Sequence, residues 1–318
     1  MLNYAKAAFY AASFAVAAST AQAQDLTKLR VSTIPIIDTA PLQVGITKGF
    51  FAEEGIEIDT TPTAGGAVGL PALASGAVQI TFSNSVSIAL GASQGLGFKV
   101  IAAGSFTAKE APDIAAIVAK PDSGITSGAD MSGKKIAVNT RNNVIWLYAK
   151  AWIDATGGDA ESATYLEVPF PQMLDAVASD QVDAAFVVDP FLTAGVGSGS
   201  VTMVGWPYNT IQPELPVGMY AMTEQFIEEN PEVVTGFVRA YNKSVDWVNE
   251  NAESDEFKDV ILSYTRLTRE RLDGLQILPF GKTIDPAALQ PTLDLMVKYK
   301  LLREPMQASD MLYETVTE

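Results

Sequence analysis

KGFFAEEGIEI, residues 48–58, carries the end of a helix into the start of a strand. Gly49 and Gly55 bracket the helix end, where the backbone must turn tightly or adopt left-handed angles, while Phe50, Phe51 and Ile56 supply apolar side chains for a core. Upstream, Pro41 to Glu54 reads as one helix; downstream, Ile56 to Thr60 reads as a strand. The same unit recurs outward from this point. Short β-branched runs predict further strands at Leu29 to Ile36, Val78 to Ser83, Phe98 to Ser105, Asp113 to Ala119, Lys135 to Asn139, Thr164 to Val168, Val182 to Val188, Val201 to Val204 and Gly218 to Met222. Helical patterns fall between them at Val68 to Ser75, Ser85 to Gln94, Asn142 to Thr156 and Pro171 to Ser179. Such alternation is the mark of βα units around a mostly parallel sheet, so the fold class is α/β. The unbroken apolar run AAFVV, 184–188, predicts a strand buried on both faces.

After Met222 the pattern becomes helix after helix. Asn230-Pro231 and Asp285-Pro286 each place a capping residue before a proline at the first helical position. A helical third without a sheet of its own must pack on a lobe already formed. The expected organisation is a discontinuous first lobe, 24–112 and 218–318, with a second lobe, 113–217, inserted and two crossing segments as hinge. The Gly-Ser stretch at 195–200 reads as a surface loop. A chain of 318 residues is long enough to divide into two lobes.

Composition excludes much chemistry. There is no cysteine and no histidine, which removes Ser-His-Asp triads, thiolate chemistry and zinc sites of the usual kind. With 21 basic and 37 acidic residues the net charge is −16, and the acids are spread along the chain. Neither nucleic acid nor an anionic membrane surface suits that field, which leaves a small soluble partner. The N-terminus, MLNYAKAAFYAASFAVAASTAQAQD, has an early Lys6, an apolar run from Ala7 to Ala18 and a small-x-small site at Ala21-Gln22-Ala23. It reads as a signal peptide, residues 1–23, with the mature chain starting near Gln24. No cysteine follows for a lipid anchor, and no later apolar run reaches membrane length. The expected product is a monomer in the periplasm.

Five segments in order, KGFFAEEGIEI (48–58), ALASGAVQITFSNS (72–85), MSGKKIAV (131–138), LDAVASDQVDAAFVVDPF (174–191) and EQFIEENPEVVTGFVRAY (224–241), resemble the solute-binding proteins for nitrate, taurine and aliphatic sulfonates, the NMT1/THI5-like family. Relatives in that group bind thiamine-pyrimidine precursors and aromatic acids. Gln79 and Asp180 depart from the family pattern, where aspartate and glycine are common. The resemblance implies a two-lobed type II periplasmic binding protein fold, with the helical C-terminal third on lobe 1. It also implies an ABC importer whose membrane permease is the partner, with no cofactor, no metal and no catalysis. The resemblance extends to pyrimidine synthases that consume an active-site histidine and use a cysteine-rich iron motif, and this chain has neither residue type. A sensor role shares every feature with the transport role.

Ligand residues are expected where parallel strands end and helices begin, because free N–H groups point outward there. From the first lobe these are Asp38 and Thr39, then Gly65 and Gly66, then Ser83, Asn84 and Ser85. The second lobe offers Asn139, Thr140, Arg141, Asn142 and Asn143, then Pro169 and Phe170, then Asp189, Trp206 and Tyr208. Arg141 is the only basic residue in the set. A guanidinium grips carboxylate or sulfonate through paired hydrogen bonds, so a small organic anion held by Arg141 is the leading expectation. Asp38 and Asp189 support a second one, a zwitterionic or cationic amine with Trp206 and Tyr208 stacked on it.

Overall fold

The computed structural model describes residues 26–317 apart from Arg266, Asp273 and Gln276. The expected signal peptide lies outside the described residues. Among the described residues ten strands form two five-stranded sheets. They are β1 (Thr27–Thr33), β2 (Ile56–Pro62), β3 (Ile80–Asn84), β4 (Phe98–Ala103), β5 (Ala115–Ala119), β6 (Lys135–Val138), β7 (Thr164–Glu167), β8 (Ala184–Val188), β9 (Thr202–Gly205) and β10 (Gly218–Thr223). The helices are α1 (Ala40–Thr47), α2 (Phe50–Glu53), α3 (Gly66–Ala74), α4 (Ser85–Ser93), α5 (Val144–Ala155), α6 (Phe170–Ala178), α7 (Phe191–Gly197), α8 (Pro207–Ile211), α9 (Glu224–Glu229), α10 (Pro231–Asn251), α11 (Asp255–Thr265), α12 (Pro286–Lys298) and α13 (Glu314–Thr317).

Both sheets follow one plan. The first runs β2-β1-β3-β10-β4 and the second β7-β6-β8-β5-β9. In the first, β1 pairs parallel with β2 and β3, and only β10 runs antiparallel to its neighbours. In the second, β6 pairs parallel with β7 and β8, and β5 is the reversed strand. The reason is geometric. β5 and β10 are the strands entered directly from the segments that cross between the sheets, so they start at the end where the other strands finish. Those carboxyl ends therefore face one another across a cleft.

The crossing segments, 104–114 and 206–217, pair with each other. Thr107 N donates to Leu215 O (3.0 Å), Val217 N to Ser105 O (3.0 Å) and Gly104 N to Gly218 O (2.9 Å). Gly104 has to be glycine, because a Cβ there would lie 2.6 Å from the Gly218 carbonyl.

Core packing explains the helical third. Tyr220 on β10 meets Tyr241 and Phe237 on α10, at ring separations of 5.0 and 6.1 Å, and Phe237 stacks on Phe51 of α2 at 5.3 Å. Thus Phe51 from the opening motif is a contact of the C-terminal helices. The strand at 184–188 is buried throughout.

Three local expectations need correction. The single helix at 41–54 is two, because Gly49 takes φ +76° and ends α1 before α2 begins. Asn230 does not cap α10 through its side chain; its Nδ2 donates back to Phe226 O (3.0 Å), whereas Asp285 does cap, accepting from Ala287 N (2.8 Å). Gly195 to Gly197 belong to the last turn of α7 rather than to a loop. In addition, α12 reaches the second lobe. Gln212 Oε1 accepts from Tyr148 on α5 (2.6 Å) and from Thr292 on α12 (3.1 Å), and Gln212 Nε2 donates to Ala288 O (2.8 Å). Among the described residues no helix is long and apolar enough to cross a membrane.

Candidate functional site

Between the facing strand ends lies a cavity of about 40 Å³, room for about three water molecules. Its polar lining is Asp38, Ser83, Asn84, Asn139, Asn143 and Tyr208, drawn from both lobes. Phe82, Phe170 and Val144 are among its apolar walls.

Local structure places each polar group. Asn84 ends β3 and caps α4, its Oδ1 accepting from Ser87 N (3.0 Å) within the first lobe and from Val144 N of the second (3.2 Å). One amide oxygen therefore ties the N-termini of two helices together across the cleft. Asn143 caps α5 through Trp146 N (3.0 Å) and donates from Nδ2 to Asn139 Oδ1 (2.7 Å). Gly66 opens α3 flush against Ser83, since a Cβ on it would lie 2.5 Å from the Ser83 Cα. Two lining hydroxyls, Ser83 Oγ and Tyr208 Oη, are buried without a hydrogen-bond partner, and both residues are 1% exposed. A buried hydroxyl left unpaired is costly, and each of the two has hydrogen-bonding capacity left for a molecule in the cavity.

Asp38 sits at the base, 4% exposed, its carboxylate accepting from the Ser105 hydroxyl of the crossing segment. Two more acids are buried nearby. Asp113 Oδ1 accepts from Ala108 N (2.9 Å) and Ile114 N (2.8 Å), while its Oδ2 is unpartnered. Asp189 Oδ1 accepts from Thr193 N (3.0 Å) and Thr193 Oγ1 (2.8 Å). Burial pushes all three carboxyls up, Asp113 to about 6 and Asp189 to about 7, and the charge of Asp38 adds to the rise at both. Burial, with the charge of Asp38 adding to it, also keeps the Tyr208 hydroxyl protonated. No lysine or arginine pairs with any of these acids among the described residues.

Of the residues expected from the sequence, Asp38, Gly66, Ser83, Asn84, Asn139, Asn143, Phe170 and Tyr208 come together around the cavity. Gly65 faces Asn139 and Thr140 from the opposite lobe. Thr39 donates its hydroxyl to the carbonyls of Ile34 (2.9 Å) and Ile36 (3.0 Å), and Ser85 is fully buried in the first turn of α4. Neither Thr39, Ser85 nor Asp189 lines the cavity, although the Asp189 carbonyl accepts from Ile37 N (3.3 Å). Trp206 leads into α8, packed on the core. Arg141 and Asn142 lie on a separate outer groove beside α3 and α4. The Arg141 side chain is 62% exposed and 4.0 Å from Glu167, and its backbone N–H donates to the same carboxylate (2.7 Å). Apolar lining residues such as Ile34, Phe82 and Val188 went unseen, as did Ser105 and Asp113 beneath. The acid at the head of DIAAIVA, 113–119, was the one available signal.

Comparison with known proteins agrees with this architecture. Over 297 residues the chain is 23% identical to the formylaminopyrimidine-binding protein of Halalkalibacterium halodurans, covering 87% of this chain and 86% of that one. It is 22% identical over 258 residues to the nitrate/nitrite binding protein NrtA of Nostoc, covering 76% of this chain and 58% of the relative. The alkanesulfonate-binding protein SsuA of Xanthomonas axonopodis pv. citri, solved with MOPS bound, superposes with a TM-score of 0.77 at 15% identity, over 90% of this chain and 98% of that one. The family model described as NMT1/THI5 like matches residues 36–254, well over half of the chain. The matched segment spans most of the described residues, and this chain therefore belongs to the NMT1/THI5-like family.

Proposed function

We propose that the protein is the periplasmic capture component of an importer. It takes one small solute between two lobes that close about the paired segments 104–114 and 206–217, and presents the closed form to a membrane permease. The observation that carries this reading is the interlobe cavity itself, whose polar lining comes from both lobes and includes hydroxyls with no partner inside the protein. A ligand touching both lobes favours the closed state by its extra contacts there. The lobe boundaries are those read from the sequence, near 112/113 and 217/218. Export through the N-terminal signal segment and a monomeric state belong to the same reading. The protein does no chemistry in this scheme.

Among the described residues the organic anion expected from Arg141 has no cation to meet in the cavity, because none of them lining it is a lysine or arginine. The neutral or positively charged alternative, resting on Asp38 and Tyr208, fits the lining better. Mass spectrometry of small molecules released when the purified protein is denatured tests the capture reading. A stoichiometric solute is expected, and stripping it should enlarge the radius of gyration in solution. A solute whose removal leaves the shape unchanged would refute closure.

A further inference from the structure

We infer that the solute is a cation, a small molecule with a protonated amine or amidine seated on the Asp38 carboxylate and walled by Phe82, Phe170 and Tyr208. This rests on the cavity being the capture site.

Charge leads to this conclusion first. Among the described residues Asp38 is the only carboxylate lining the cavity and no lysine or arginine lines it, and Asp38 is buried with a hydroxyl, Ser105, as its partner. Asp113 and Asp189 lie close enough for the charge of Asp38 to be felt at both, and neither forms an ion pair with a lysine or arginine among the described residues. A buried carboxylate without a counter-ion is strongly disfavoured, and a cluster of them more so, unless a positive charge arrives from outside. An anion in this cavity would sit against the Asp38 carboxylate with no lysine or arginine among the described lining residues to balance it.

Independent of the acids, the uncharged walls suit the same guest. Ser83 Oγ and Tyr208 Oη offer lone pairs to N–H donors, as does Asn139 Oδ1 alongside its bond from Asn143. Phe82, Phe170 and Tyr208 bring aromatic rings to the cavity wall, and such rings suit a cation once water is excluded. The net charge of −16 favours encounter with cations over anions.

The test uses two isosteric sets differing only in charge: acetamidinium, acetamide and acetate, and the larger benzamidinium, benzamide and benzoate. Melting temperature is measured with each, on the wild type, on Asp38→Asn and on Gly65→Val, which obstructs closure. An amidinium should raise the wild-type melting temperature by several degrees where its carboxylate does not, and Asp38→Asn should bind it at least about thirtyfold more weakly. The inference is overturned if a carboxylate stabilises instead, if an amidinium stabilises Asp38→Asn as well as the wild type, or if neither amidinium stabilises the wild type. The first result needs no variant to fold. A carboxylate that stabilises the wild type but not Gly65→Val would leave capture standing and remove only the cation. Stabilisation by any probe that Gly65→Val leaves untouched would place binding outside the cleft and remove both.

Discussion

Gly65 of the first lobe faces Thr140 of the second so closely that a methyl group on it would lie 2.5 Å from the Thr140 hydroxyl and 2.8 Å from Asn139 Nδ2. The backbone at Gly65 is extended, φ −177°, so any residue can adopt it and the conflict arises only against the opposite lobe. Gly65→Val should therefore fold normally and resist closing, at a cost of about 1–3 kcal/mol from overpacking. Its ligand affinity should drop about tenfold or more, and scattering should show less compaction with ligand than the wild type shows. Wild-type affinity in this variant would mean the lobes do not meet in this way.

Asn84 links the lobes through one oxygen, and its loss has two separable parts. Asn84→Ala removes the cap of α4, worth about 1 kcal/mol, and leaves Val144 N without its partner in the closed form. Asn84→Ser keeps a capping group for α4 but is too short to span the cleft. The serine variant should recover melting temperature without recovering affinity. Equal recovery of both would show that the cross-lobe bond contributes nothing to closure.

These residues were legible from the sequence because a strand end followed by Ser, Asn or Gly reads as a junction whatever its surroundings. The ten strands were legible for the same reason, each run being bounded by turn residues. Side-chain direction was not. Asn142 takes a left-handed φ of 58°, in the loop that sends the neighbouring Arg141 toward Glu167 and solvent, and no spacing rule foretells such a turn. Apolar walls such as Phe82 and Val188 look the same in sequence whether they face a cavity or a core. The partnership of Asp38 with Ser105 depends on where the crossing segment passes, which is a property of the assembled lobes.

Arg141 separates the two ligand chemistries cleanly. With its side chain largely in solvent and a loose contact to Glu167, Arg141→Ala should change stability and ligand affinity by no more than about 0.5 kcal/mol. Calorimetry with the released solute gives the answer. A loss of tens-fold in affinity would show the guanidinium turning inward onto an anion, and the cation inference would fall with it.

The contact of α12 with the second lobe makes Tyr148 a test of how the C-terminal helices are tied in. Tyr148→Phe keeps the ring against Tyr208, 5.2 Å away, but removes the hydroxyl that donates to Gln212. Thr292 still reaches the same oxygen, so the loss should be limited to about 1 kcal/mol, a fall in melting temperature of about 2–4 °C. No change at all would mean that this buried network does not hold α12 to α5.

The buried acids set a pH dependence whose sign can be worked out. Asp113 and Asp189 titrate near 6 and 7 in the folded protein, above the ordinary value of 3.8 that they regain on unfolding. Between these limits the folded state holds more protons than the unfolded one, so stability falls as pH rises. Their contribution is fully present below about pH 4 and is lost as pH climbs through about 6 for Asp113 and about 7 for Asp189. Ligand-free protein should thus lose on the order of a few kcal/mol over that window, seen as a declining melting temperature in a pH series. Asp113→Asn and Asp189→Asn should each flatten the decline. A bound cation favours the charged form of the carboxylate facing it, Asp38, and so competes with the proton for that site. Amidinium affinity should accordingly weaken as pH is lowered and Asp38 takes up its proton, and binding should release protons, measurable as an enthalpy that depends on the buffer. Affinity that strengthens on acidification would show instead that protonated Asp38 donates to an anion, and the charge assigned to the solute would have to be reversed.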